Sequence, residues 1–191
     1  MELLEALDRA ADGFSQRLRA APDDAWTNPT PCTDWDVRAL VAHVIGGNRL
    51  AVGILGGAPH EEVLGELQRL GVVVGDDIVG SYEQSAADQR AAFRRAGALD
   101  GTVNHVIGDI PAPMLLGFRV ADLLVHSWDL ARGLGVDDTL DPEVVEVVWA
   151  FAAPMSRGMK ASGRFGEGAS GTVGDDTPLQ DRVLDLHGRR P

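Results

Sequence analysis

Lysine is almost missing from this chain: of its 17 basic residues only Lys160 is a lysine. That composition points to a GC-rich genome and carries no information about fold. Basic residues are also outnumbered by 29 acidic ones, giving a formal charge of −12 and an isoelectric point near 4.7. An acidic surface argues against generic nucleic-acid binding and against attraction to anionic membranes. Long apolar runs are lacking as well; none approaches the ~20 residues that cross a bilayer. The opening Met1-Glu2-Leu3-Leu4-Glu5-Ala6-Leu7 is acidic and amphipathic and has no signal-peptide pattern. One cysteine, Cys32, excludes an intrachain disulfide and fits a cytoplasmic, reducing setting. Internal repeats, heptads and a glycine loop of the phosphate-cradling kind are absent.

What is present is helix. The 191 residues, 45% apolar, suit a single domain over 1–191 with a substantial core. Leu3, Leu4, Leu7, Ala10, Ala11, Phe14 and Leu18 recur at helical spacing, predicting a first helix over 2–20. A loop with two prolines follows. Thr33 and Asp36 then form a capping-box pattern that opens a second helix over roughly 35–55. Residues 56–76 are rich in glycine and acidic residues, with a short helical patch from Glu61 to Leu70. A third long helix is predicted over about 77–96, sparse in apolar positions and therefore suited to an outer wall. Residues 99–114 suit an extended segment and turn, with Pro111 and Pro113 delaying the next helix. That helix ends at Gly133-Leu134-Gly135. Asp141-Pro142-Glu143 caps another, which Pro154 should end or kink. Residues 162–177 read as a mobile loop, before a short terminal helix carrying Leu179, Val183, Leu184 and Leu186. The expectation is an all-α, four-helix bundle with additional short C-terminal helices and a short extended segment near 100–110.

The helix through Phe118–Arg132 differs from the others. At 100° per residue, Arg119, Asp122, His126 and Asp129 gather in one narrow arc, while Val120, Leu123, Leu124, Val125, Trp128 and Leu130 fill most of the circle. Asp122 and His126 are four apart and point at the same spot, a spacing at which a carboxylate and an imidazole share one metal ion. The stripe is equally consistent with the wet side of an amphipathic helix. On the second helix, His43 faces inward if Arg38 and Arg49 face water. Gly46 and Gly47, which cost helix stability by roughly 1 kcal/mol each against alanine, leave room for something close to it. A core histidine bonded to backbone would explain the same pattern. His60, His105 and His187 have no helical partner at metal spacing and are read as ordinary residues. Cys32 is read as structural.

Two segments resemble a known family. Thr30-Pro31-Cys32-Thr33-Asp34-Trp35-Asp36-Val37-Arg38-Ala39-Leu40-Val41-Ala42-His43 is similar to the opening motif of the mycothiol-dependent maleylpyruvate isomerase N-terminal domain family, of the DinB-like superfamily of four-helix bundles. Arg119-Val120-Ala121-Asp122-Leu123-Leu124-Val125-His126-Ser127-Trp128-Asp129-Leu130-Ala131-Arg132 is similar to its second motif. The order of elements agrees from about residue 3 to residue 188, and the likeness is greatest to an actinobacterial subgroup of metal-binding proteins. The resemblance implies a divalent metal held by His43, Asp122 and His126. The acidic ligand of the isomerase is a glutamate, so Asp122 is one methylene shorter. The isomerase also has a separate C-terminal domain, for which this chain is expected to have no room.

Two imidazoles and a carboxylate suit zinc best, with nickel or iron as alternatives. Such an ion binds a thiol as thiolate at neutral pH. The expectation is a metal-dependent enzyme of the thiol transferase or isomerase type, acting on a small electrophile with a low-molecular-weight thiol such as mycothiol, as a monomer or homodimer. Asp129 would orient a ligand or bound water, and Arg119 would hold a substrate carboxylate or act behind the ligands; a surface ion pair between the two is the plainer alternative. Two other classes stay open: a non-catalytic metal-binding protein on the same fold, and a metal-free bundle that binds a partner or an apolar ligand.

Overall fold

Helix α1 (Leu3–Arg19) turns the predicted stripe inward: Ala6, Leu7, Ala10, Ala11, Phe14 and Leu18 are all buried. In the computed structural model, which describes residues 1–70, 77–156, 158 and 168–191, it is followed by a 3-10 turn at Ala25–Thr27 and by α2 (Val37–Leu55). Next come α3 (His60–Leu70), α4 (Ile78–Arg94) and a hairpin of β1 (Thr102–His105) and β2 (Gly108–Pro111). The chain then forms α5 (Ala112–Leu134), α6 (Pro142–Ala152) and α7 (Leu179–Leu186). Helices α1, α5, α2 and α4 pack in that cyclic order, each against two neighbours, and close a four-helix bundle. Helix α6 lies across α1 and α5, and α7 packs on α6. The mainly helical expectation holds, and the extended segment is an antiparallel hairpin pairing Thr102 with Pro111 and His105 with Gly108.

The core runs the length of the bundle. Phe14 and Tyr82 meet with ring centroids 4.7 Å apart, and the Tyr82 hydroxyl donates to the Ala11 carbonyl at 2.9 Å. Burial of each such large side chain contributes about 1.5–3 kcal/mol. Among the described residues α2 is long and apolar enough to cross a membrane on length and composition. Its Leu40, Val41, Val44 and Ile45 are fully buried in the bundle, as befits a core helix.

Several boundaries differ from expectation, each for a physical reason. The N-cap of α2 is Asp36 itself, whose carboxylate accepts from the Ala39 amide at 2.8 Å. Thr33 stays in the preceding turn, because the Val37 amide is tied back to the Asn28 carbonyl and the chain enters the helix only there. Pro111 does bound α5, which starts at the next residue, but Pro113 does not delay it. Pro111 is its N-cap and Pro113 lies in the first turn, where a missing N–H breaks no helical bond. Helix α4 is no outer wall; it stands inside the bundle between α1 and α2. Its apolar positions are few because its inner face carries buried Ser85 and Gln89. The end of α5 does follow the glycine signal, with Gly135 in the left-handed region at φ 67°. Asp141 caps α6 through the amides of Glu143 and Val144, which ends before Pro154 in a 3-10 turn. Of the expected mobile loop, residues 162–167 lie outside the described residues. Residues 168–177 are irregular, with the Ser170 amide held by the Asp185 carboxylate.

Candidate metal centre

Helix α5 presents Asp122, His126 and Asp129 one turn apart along its polar arc, and α2 brings His43 to face them. His43 Nε2 lies 3.4 Å and His126 Nε2 3.5 Å from the same oxygen, Asp122 Oδ1. One ligand atom from each residue falls within 4.8 Å of the other two. The imidazole rings stand at 73° with centroids 4.9 Å apart. Contacts of 3.4–3.5 Å are long for hydrogen bonds to an ionised carboxylate. They match the edge of a tetrahedron around an ion with ligand bonds of about 2.1 Å, which separates its ligands by about 3.4 Å. The donor set and its spacing therefore fit a divalent ion.

Asp129, fully buried, accepts from His126 Nδ1 at 2.8 Å. That bond places a proton on Nδ1, so Nε2 is the nitrogen that faces Asp122 and His43. Arg189, from the segment after α7, closes on Asp129 with two donors at 3.0 and 2.6 Å. Burial would raise the Asp129 carboxyl, but His126 and Arg189 outweigh it and hold it below the ordinary range. At Asp122 burial likewise opposes ionisation; the Arg119 guanidinium and the two imidazoles prevail and keep it well below the carboxylate norm. Burial disfavours charge on His126, yet the Asp122 carboxylate raises it well above its ordinary value. An ion would compete with that proton for Nε2.

Arg119, only 7% exposed, donates to Asp122 Oδ2 at 3.0 Å. Its other groups are engaged by Gln89 Oε1 at 2.8 Å and Asn48 Oδ1 at 2.9 Å. The guanidinium is thus turned to Asp122 and the bundle interior in a buried network; the alternative surface ion pair with Asp129 does not form, since Asp129 is itself buried and pairs with His126 and Arg189. Trp35 covers the other side, its ring centroid 4.5 Å from that of His43 and 6.0 Å from that of His126.

Cys32 is the residue whose place the sequence conceals most. Its Sγ lies 3.4 Å from Asp129 Oδ2 and accepts from Arg189 Nη2 at 3.1 Å. Cys32, His126 and Asp129 form a second group with ligand geometry, but the Arg189 cation already sits on it. The motif holding Trp35 and Cys32 was visible in the sequence; that the chain end returns Arg189 to it was not. His105 and His187 line the same cavity without joining either ligand group among the described residues, and His60 bonds to Asn104 at the hairpin. The cavity measures about 1360 Å³. It has the three candidate ligands at one wall and apolar Leu50, Met114, Leu115, Phe118 and Phe151 on others.

Comparison with known proteins places these residues in context. The family described as Mycothiol maleylpyruvate isomerase N-terminal domain matches residues 7–131, which include His43, Asp122, His126 and Asp129 but not Arg189. An uncharacterized protein of Mycobacterium tuberculosis, present in two strains, is 32% identical over 162 residues, covering 83% of this chain and 84% of its own. Two crystal structures of the mycothiol-dependent maleylpyruvate isomerase, one of a histidine-to-alanine mutant, share the fold with TM-scores of 0.63 for the mutant and 0.58 for the other. Each is 20% identical, over 85% of this chain and 73% of theirs. By the extent of the family match and the identity to its relative, this chain belongs to the mycothiol maleylpyruvate isomerase N-terminal domain family.

Proposed function

We propose that the protein is a divalent-metal-dependent enzyme of the thiol transferase or isomerase type, joining a low-molecular-weight thiol such as mycothiol to a small electrophile or isomerising it through that thiol. The observation that carries the reading is the convergence of His43 Nε2, Asp122 Oδ1 and His126 Nε2 at the wall of a large, mostly apolar cavity. Family membership supports the thiol, since mycothiol is the thiol named for the isomerase relatives. Zinc is the ion these donors suit best. A bound ion supplies Lewis acidity and lowers the pKa of a thiol or water beside it.

The chain's own residues do the rest. Asp129 holds a His126 proton on Nδ1, so Nε2 is the nitrogen an ion would take, displacing any proton there. Asp122 contributes one negative charge, and Arg119 fixes its rotamer. Trp35 shields both imidazoles on one side. Leu50, Met114 and Phe118 keep part of the cavity dry, which strengthens every charge interaction within it. No part of this requires maleylpyruvate as the electrophile, and the shorter carboxylate Asp122 allows a different one.

The first test is elemental analysis of protein purified without a polyhistidine tag. About one equivalent of zinc, nickel or iron is expected, falling to background in Asp122→Ala with helical circular dichroism retained. Metal-free protein that takes up no ion on reconstitution sinks the proposal. The second test titrates the cobalt-substituted protein with mycothiol, then with cysteine and glutathione. A cobalt–thiolate charge-transfer band with mycothiol is expected. Bound metal with no spectral response to any thiol would remove the thiol chemistry and leave a metal-binding protein.

A further inference from the structure

Asp122 has two oxygens, and the structure treats them differently. Oδ1 faces both imidazoles, at 3.4 and 3.5 Å. Oδ2 is taken by Arg119 Nη1 at 3.0 Å. The guanidinium that takes it is braced from two other helices. Gln89 on α4 accepts from Nε and Asn48 on α2 accepts from Nη2, both side chains fully buried. Asn48 is fixed in turn by Ser85 Oγ at 3.0 Å, and Ser85 by the Tyr82 carbonyl at 2.8 Å. Among the described residues the buried Gln89 Nε2 has no hydrogen-bond partner, so its amide is oriented for Arg119 at the expense of its own donor.

The backbone makes room for this brace. A Cβ on Gly47 would stand 2.3 Å from Arg119 Nη1 and 2.8 Å from Cζ. Only glycine at that point of α2 lets the guanidinium lie flat against the helix. The space that Gly47 leaves near His43 is filled by Arg119. A buried arginine must find acceptors for its N–H groups whatever its role, but the notch at Gly47 and the bond of Nη1 to Oδ2 fix which Asp122 oxygen it holds.

We infer that Arg119, braced by Gln89 and Asn48 in the Gly47 notch, is a positioning residue that keeps Asp122 a one-oxygen ligand. The inference rests on the metal reading above. Its consequence is coordinative: the protein offers three donor atoms, so a fourth place remains for an outside ligand. With Oδ2 free, the carboxylate would chelate through both oxygens and occupy that place. The neighbouring positive charge also disfavours the ion while the fixed rotamer favours it, so affinity alone does not decide the matter. Coordination number does.

The visible d–d bands of cobalt report it, being intense for four ligands and weak for five. Cobalt-substituted parent, Arg119→Met and Gly47→Ala would be compared, with folding checked by circular dichroism. Intense bands are expected for the parent and bands several-fold weaker for Arg119→Met, with Arg119→Lys failing to restore them because one ammonium nitrogen cannot reach the acceptors that three guanidinium nitrogens hold. Gly47→Ala keeps the arginine but pushes it from its notch. It should weaken the bands in the same direction, and it decides the question if Arg119→Met does not fold. A folded Arg119→Met protein with parental bands overturns the inference even if its stability drops, because that would be a purely structural role. A parent that binds no cobalt overturns the metal reading and this inference together, whereas a cobalt-binding parent with unaltered variants overturns this inference alone.

Discussion

The two helices that supply the candidate ligands hold them in opposite ways. On α5, His126 has a side chain 8% exposed and is fixed through Asp129, itself locked by Arg189. On α2, the His43 side chain is 39% exposed, and its ring is packed against Trp35. One half of the site is built before any ion arrives; the other lies open to the cavity. Preorganised donors lose little freedom on binding, so α5 should set affinity and geometry, and His43 should complete the site as it closes. On the metal reading proposed above, an outside ligand would reach the ion through the cavity that His43, Asp122 and His126 line, while Asp129 is fully buried behind His126.

Removing each histidine is the strongest way to test that contrast. His126→Ala should lose the ion and, by leaving the buried Asp129 carboxylate with Arg189 but without the imidazole, destabilise the metal-free fold by about 2–4 kcal/mol. His43→Ala should lose the ion equally but shift metal-free stability by less than about 1 kcal/mol, as befits a half-exposed side chain. Elemental analysis and urea unfolding of the chelated proteins read both quantities. Equal destabilisation by the two substitutions would erase the distinction. Next in size is Asp129→Asn, which keeps the shape but weakens the hold on Nδ1–H. Zinc affinity by chelator competition should fall about 10- to 100-fold. An unchanged affinity would show that Asp129 serves Arg189 and the fold, not His126.

The same contrast explains what the sequence could show. The α5 seam was legible because its four polar residues repeat at helical spacing in an otherwise apolar helix, so Asp122, His126 and Asp129 could be placed together by periodicity alone. His43 could be turned inward only by assuming that the arginines of α2 face water, and its partners lie 79 or more residues away. The role of Arg119 was half legible: its position on the stripe was clear, but its partners Asn48 and Gln89 come from other helices. For the same reason α4 read as an outer wall, since Ser85 and Gln89 look like solvent-facing residues until the buried guanidinium they serve is known. The contact between Arg189 and Cys32 was not legible at all. No local pattern tells that the last residues of a chain return to a loop more than 150 positions earlier.

A smaller effect is expected from His187, which lines the cavity and donates through Nδ1–H to the Val183 carbonyl at 2.8 Å. Burial pushes this imidazole down to about 4. The fold therefore holds it neutral, while the unfolded chain takes up a proton near pH 6.5. Stability should be intact above about pH 6.5 and fall as pH drops towards 4, by up to roughly 3 kcal/mol. In His187→Gln the slope over that window should flatten relative to the parent. Parallel slopes would mean that the histidine is hydrated and titrates normally.

The smallest effect is expected at Cys32, and it separates the two ligand groups that share His126. One group uses Nε2 with His43 and Asp122, the other Nδ1 with Cys32 and Asp129. Arg189 sits on the second as a cation, 3.1 Å from Sγ and 2.6 Å from Asp129 Oδ2. A divalent ion there would have to displace a guanidinium that is bonded twice to a buried carboxylate, whereas the first group has no cation between its donors. Cys32→Ser keeps a polar acceptor for Arg189 and should leave zinc content at the parental level, with stability changed by less than about 1 kcal/mol. Paired with His43→Ala the outcome is decisive. If the ion uses the first group, His43→Ala abolishes binding and Cys32→Ser does not. The reverse pattern, zinc kept in His43→Ala and lost in Cys32→Ser, would move the ion to the sulfur side and require Arg189 to swing out.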